Sequence, residues 1–177
     1  MSTSPDLVTI IGNFSHSLYP IQRLLTGFAY LMGLAFFILA LMKLKKIGES
    51  RGQSQEKPIV PLAYLLGGAA LLFLPSAVTT LSNTVFGAGN ILGYVTYNPY
   101  SIYNSMGLLV QTAGVLWFIR GCVLLVGASQ PGETHGTKGL VFLCAGILAM
   151  NFQNTTAAVN AALTYLMSLT GPSKGGS

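Results

Sequence analysis

Charge is what this sequence lacks most. Asp, Glu, Lys and Arg together make up 7% of its 177 residues, against about a quarter in an ordinary soluble domain. So few charged side chains cannot hold the outside of a body this size in water, which argues against a soluble fold. Acidic residues are scarcest: Asp6, Glu49, Glu56 and Glu133 are the full set, and all lie outside the apolar runs. A proton-coupled carrier usually needs a titratable group inside the membrane, and these runs offer none. Cys122 and Cys144 stand in separate apolar segments and read as packed free thiols, not as a disulfide framework or a zinc site. His16 and His135 fall in different loops on opposite sides and cannot share a metal. No Ser/His/Asp or Cys/His set can be assembled, and the glycines around Gly87 and Gly89 lack the Lys and following helix of a phosphate loop. The expectation is a non-enzymatic chain with no cofactor and no metal.

What is present is long apolar sequence. No charge occurs between Arg23 and Lys43, from Ile59 to Ile119, or from Gly139 to Ser173. A bilayer-crossing helix needs about 20 such residues. The pattern predicts an all-α integral membrane protein with four transmembrane helices, at 21–42, 59–81, 106–127 and 140–163, arranged as two hairpins. Pro75 is expected to kink the second of them. Five of the nine basic residues, Lys43, Lys45, Lys46, Arg51 and Lys57, fall in the first hairpin's loop, 43–58. That clustering explains the net charge of +5 without any nucleic-acid partner. Arg120 and Lys138 lie toward the second hairpin's tip, while the connection at 82–105 carries no charge. Positive loops stay cytoplasmic, so both tips point inward and both termini outward.

Before the first span, Leu7, Ile10, Ile11, Phe14 and Leu18 recur at helical spacing. They predict a short interfacial helix in a periplasmic segment 1–20, closed by Pro20. A loosely ordered terminus is the plainer alternative. The domain reading continues with a first hairpin over 21–81, a periplasmic Gly/Asn/Tyr loop over 82–105, a second hairpin over 106–169 and a flexible tail over 170–177. Tyr94, Tyr97, Tyr100 and Tyr103 in the outer loop suit headgroup anchors or a contact surface. The hairpins also match one another. Gly33, Phe37 and Ile38 align with Gly114, Phe118 and Ile119, and Leu62, Leu65 and Gly68 align with Leu140, Leu143 and Gly146 at an offset three residues shorter. Leu-rich segments match by chance easily, so these matches alone leave internal duplication open.

The fourth span is unusually polar. Asn151, Gln153, Asn154, Thr156 and Asn160 crowd its second half, and lipid cannot hydrogen-bond them. Two readings stand: interhelical adhesion beside small residues such as Ala157 and Ala161, or the lining of a pore. Arg120, about two turns inside the third span, reads as a snorkelling or interface charge.

Eight stretches carry a resemblance. They are Ser17-Leu-Tyr-Pro-Ile-Gln-Arg-Leu-Leu-Thr-Gly27, Lys43-Leu-Lys-Lys-Ile-Gly48, Leu71-Leu-Phe-Leu-Pro-Ser-Ala77, Asn98-Pro-Tyr100 with Ser105-Met-Gly-Leu-Leu109, Trp117-Phe-Ile-Arg-Gly121, His135-Gly-Thr-Lys-Gly-Leu140 and Cys144-Ala-Gly-Ile-Leu-Ala-Met-Asn-Phe152. Over about 15–165 the chain resembles the IcmC/DotE family of the Dot/Icm type IVB secretion system, with a similarity in outline to the sister families DotP/IcmD and DotV. The resemblance implies a bacterial inner-membrane structural subunit that helps build or brace a machine for moving effector proteins into a host cell. Its partners would be other inner-membrane subunits, copies of itself and the lipid bilayer. The family has no established catalytic residues to carry over. An autonomous small channel, holin-like, is the competing expectation.

Overall fold

A computed structural model describes residues 7–50, 57–87 and 102–170. Among them the chain is entirely helical, with six α-helices: α1 Leu7–Glu49, α2 Ile59–Leu72, α3 Leu74–Phe86, α4 Ile102–Ala128, α5 Gly136–Met150 and α6 Phe152–Thr170. Two of them are long and apolar enough to cross a membrane alone, over Pro20–Glu49 and Ser105–Ala128. Up to four crossings result if each of two bent pairs counts as one span. The architecture is a helical bundle of membrane-associated type.

Three expectations are corrected. The segments expected as single spans at 59–81, with a kink at Pro75, and at 140–163 are each broken, by 98° between α2 and α3 and by 94° between α5 and α6. At about 1.5 Å per residue, α2 and α5 are only about 21 and 22 Å long, short of a hydrocarbon core of about 30 Å. The surface helix closed by Pro20 is not separate, because α1 runs through Pro20 without interruption. Neighbouring turns support the chain where the ring's missing N–H costs one bond. The basic loop expected at 43–58 starts later than 43, since Lys43, Lys45 and Lys46 occupy the last turns of α1. The outer-loop residues 88–101, Arg51 and the tail 171–177 lie outside the described residues.

The helices pair as α1 with α2 and α4 with α5, each pair crossing through glycine. A methyl carbon on Gly33 would stand 2.8 Å from Leu72 N and 2.9 Å from Gly68 O. On Gly114 it would stand 2.8 Å from Met150 N and 2.9 Å from Gly146 O. Bare backbones therefore touch at both crossings, the close approach that small residues permit between helices in lipid. The offsets between the crossings are those that align the sequence matches, so the two hairpins repeat one geometry.

Between the hairpins lies one apolar core. Ala29, Leu71 and Leu74 of the first meet Phe118, Ile119, Cys122 and Ile147 of the second. A second cluster joins Ala40, Val60 and Tyr64 to Val126. Both hairpin tips therefore lie at the same end of the bundle, fastened where Gln130 Nε2 donates to Tyr64 Oη at 2.7 Å. Toward the other end Gln22 Nε2 donates to Thr112 Oγ1 at 2.9 Å, and Thr112 Oγ1 donates in turn to Leu108 O.

Candidate functional site

The two helix breaks gather most of the residues singled out by polarity. Phe73 and Asn151 occupy equivalent positions, with nearly identical backbone angles of φ −106°, ψ 38° and φ −103°, ψ 40°. Each donates its N–H four residues back, to Ala69 O and to Ile147 O. Past that point the helix must find other partners for carbonyls it no longer serves.

The two breaks solve this differently. In the first, Pro75 sits in the opening turn of α3, where its missing N–H is harmless and its fixed φ favours a new helix start. Phe73 O accepts from Ala77 N at 2.8 Å. In the second there is no proline; Asn151 O accepts from Thr155 N at 2.9 Å in the same way, and side chains add further bonds. Asn151 Nδ2 donates to Ile147 O at 2.9 Å, and Thr155 Oγ1 reaches back seven residues to Leu148 O at 2.8 Å. Hydrogen bonds of this kind offset the loss of ladder bonds where no water can.

The five polar residues of the fourth span are thus not one surface. Asn151 is buried at the break, Asn154 and Thr156 are half-buried, and Gln153 and Asn160 are exposed. Thr156 Oγ1 donates to Gln153 O, and Thr164 Oγ1 donates to Asn160 O. Beyond the break α6 leaves the bundle: every described residue from Ala157 to Leu169 is exposed, including Leu163, Leu166 and Met167. Its counterpart α3 is docked, with Ala77, Val78 and Leu81 against the core and Ser82 fully buried.

At the tip end the cations are held by aromatic rings. Lys43 Nζ lies 5.4 Å from the centre of the Tyr64 ring, and the Arg120 guanidinium lies 5.3 Å from that of Phe142. Tyr64 and Phe142 are equivalent positions of the repeat, so each hairpin has one such contact, worth about 0.5–1 kcal/mol where exposed. Lys45 pairs with Glu49 at 3.5 Å in an exposed setting, and Lys57 and Lys138 are exposed. Lys46, in the last turn of α1, sits where a cation complements the helix dipole. Cys122 is buried, but Cys144 faces outward and does not pack inside the chain.

Sequence reasoning missed Tyr64, Gln130, Gln22 and Thr112, which tie the hairpins together. A Gln and a Thr within otherwise apolar helices were a usable signal for the second pair; nothing marked Tyr64 or Gln130.

The chain matches no protein-family model, no curated protein and no solved structure.

Proposed function

We propose that this chain is a non-enzymatic structural subunit of a bacterial inner-membrane assembly, of the Dot/Icm type IVB secretion kind, helping build or brace the effector-translocation apparatus. The secretion role rests on the sequence resemblance alone. The assembly role rests on one observation: the bend at Asn151 turns α6 out of the bundle and leaves every described residue from Ala157 to Leu169 exposed. Uncovered Asn160 and Gln153 beside small Ala157 and Ala161 suit contact with another membrane helix, because polar groups and close backbones drive helix association where lipid gives no hydrophobic incentive.

On this reading the hairpins arose by duplication and both cationic tips face the cytoplasm, with the termini periplasmic. With α2 and α5 upright in the bilayer, the near-perpendicular α3 and α6 lie along its outer face. Enzymatic-reporter fusions at Glu133 and at Glu49 are expected to report a cytoplasmic tip; an exported tip at either place refutes the orientation. Deleting the gene is expected to abolish effector delivery into host cells while growth in broth continues normally. Undiminished delivery refutes the secretion role. Ion or dye leakage on expression of the protein alone would instead favour a self-sufficient pore.

A further inference from the structure

The two hairpins repeat one geometry, yet only the second has its helix face covered. Within the chain, the first hairpin seats on α4 and buries Thr112, Ile119 and Cys122 to 6%, 6% and 3% exposure. Their counterparts on α1, at the offset set by Gly33 and Gly114, are Leu31, Ile38 and Leu41. These are 63%, 50% and 52% exposed. The α1 face is apolar from Leu31 to Leu41 and in the same register, but none of the described residues seats on it.

The complementary face is also partly uncovered. The first hairpin covers α4 with Ala29, Met32 and Phe36 of α1 and with Leu74, Val78 and Leu81 of α3. The α1 trio corresponds to Val110, Ala113 and Trp117 of α4, of which Trp117 is 44% exposed and the others half-buried. The α3 trio corresponds to Phe152, Thr156 and Val159 of α6, of which the first two are half-buried and Val159 is exposed, and buried Ser82 corresponds to exposed Asn160. The chain thus has one donor face and one acceptor face left over, at opposite ends of its own repeat. A shallow groove of about 420 Å³, lined by Gln22, Arg23, Thr26, Gly27 and Tyr30, continues α1 beyond Leu31.

We propose that copies of this chain associate head to tail in the membrane, with the second hairpin and α6 of one copy seating on α1 of the next as the first hairpin seats on α4 within each chain. The occupant of the open α1 face is a second copy because the chain itself already builds this interface once. A contact of this type joins two different surfaces, so it propagates into rings or rows and does not stop at a pair. Because both hairpins point the same way, the rows extend in the plane of the membrane. The repeat departs at the tip end. Val126, which packs against Gly67, has Lys45 as its counterpart, and Gly67 has Ala145. A longer, charged side chain therefore meets a slightly fuller helix there, and Lys45 lays its stem along that helix while its ammonium reaches water.

This inference rests on the assembly reading above but not on a secretion role. The test is disulfide or bismaleimide cross-linking of the full-length protein in native membranes, with Cys122 and Cys144 replaced by Ala. Lys45→Cys and Ala145→Cys together are expected to give a ladder of dimers, trimers and higher species. Two differently tagged chains, each carrying one of these changes, are expected to form a mixed dimer when co-expressed. Leu62→Cys with Leu140→Cys, at positions exposed in both hairpins, serves as the control and is expected to give no ladder. A 45/145 yield no greater than the control means lipid covers the face and overturns the proposal. So do adducts only with a different membrane protein, or dimers from Lys45→Cys alone, which would indicate a two-fold pair. A delivery defect on deletion without a ladder refutes only the head-to-tail contact; a ladder with normal delivery refutes only the secretion role.

Discussion

Replacing Gly146 by Ala tests the crossing that positions everything else in the second hairpin. The added methyl would stand 2.7 Å from Phe118 N, 2.9 Å from Phe118 Cα and 2.9 Å from Gly114 O. These are backbone atoms of a helix and cannot swing aside as a side chain end can. To restore ordinary contact at 3.4 Å, α4 and α5 must separate locally by roughly 0.7 Å. A gap of 0.5–1 Å forfeits about a quarter to a half of the dispersion energy of each contact it opens, and overpacking in a close-fitting core costs about 1–3 kcal/mol. The expected loss is about 2 kcal/mol, read by titrating the purified protein in mixed micelles with rising SDS while following Trp117, the single tryptophan. Gly48→Ala is the control: no atom lies within 4 Å of its added methyl, and Ala exceeds Gly in helix propensity by about 1 kcal/mol. If Gly146→Ala unfolds at the same SDS fraction as Gly48→Ala, backbone contact does not hold this hairpin.

Three further outcomes are expected. Pro75→Ala returns an N–H that can bond Leu71 O, so spin labels at Leu66 and Val85 should move apart toward the roughly 28 Å of a straight helix; an unchanged separation would show that Pro75 does not set the bend. Tyr64→Phe removes only the bond from Gln130 and should cost about 0.6 kcal/mol, whereas Tyr64→Ala also removes the ring under Lys43 and should cost about 3 kcal/mol; equal losses in the SDS titration would deny the ring its role. Changing Asn151 and Asn154 together to Leu should leave insertion intact but reduce co-purification with membrane partners, and full recovery of those partners would remove the adhesive role of these groups.

Helix existence and the hairpin pairing were legible in the sequence because each follows from a local property, uninterrupted apolar length and short charged connections; the matched glycines were visible as a repeat but not as crossing points. The break after α2 was half legible, since Pro75 announces it through a missing N–H. The break at Asn151 was not. Asn and Thr carry no fixed backbone geometry, and their bonds to Ile147 O and Leu148 O form only once the helix has already turned. The polar crowding there was visible, but adhesion, a pore lining and a helix stop share one composition. Nor could Pro20 announce that α1 continues, because neighbouring turns decide whether a helix survives a proline.

The continuity of α1 sets a mechanical scale. Its 43 residues extend about 65 Å, roughly twice the thickness of the hydrocarbon layer, so residues 7–19 rise well past the lipid on the side away from the lysines. Pro20 is the one point where a lost bond softens this rod. A pull or twist applied to its N-terminal end passes along one unbroken helix and emerges at Lys43 and Lys46, with no intervening loop to absorb it.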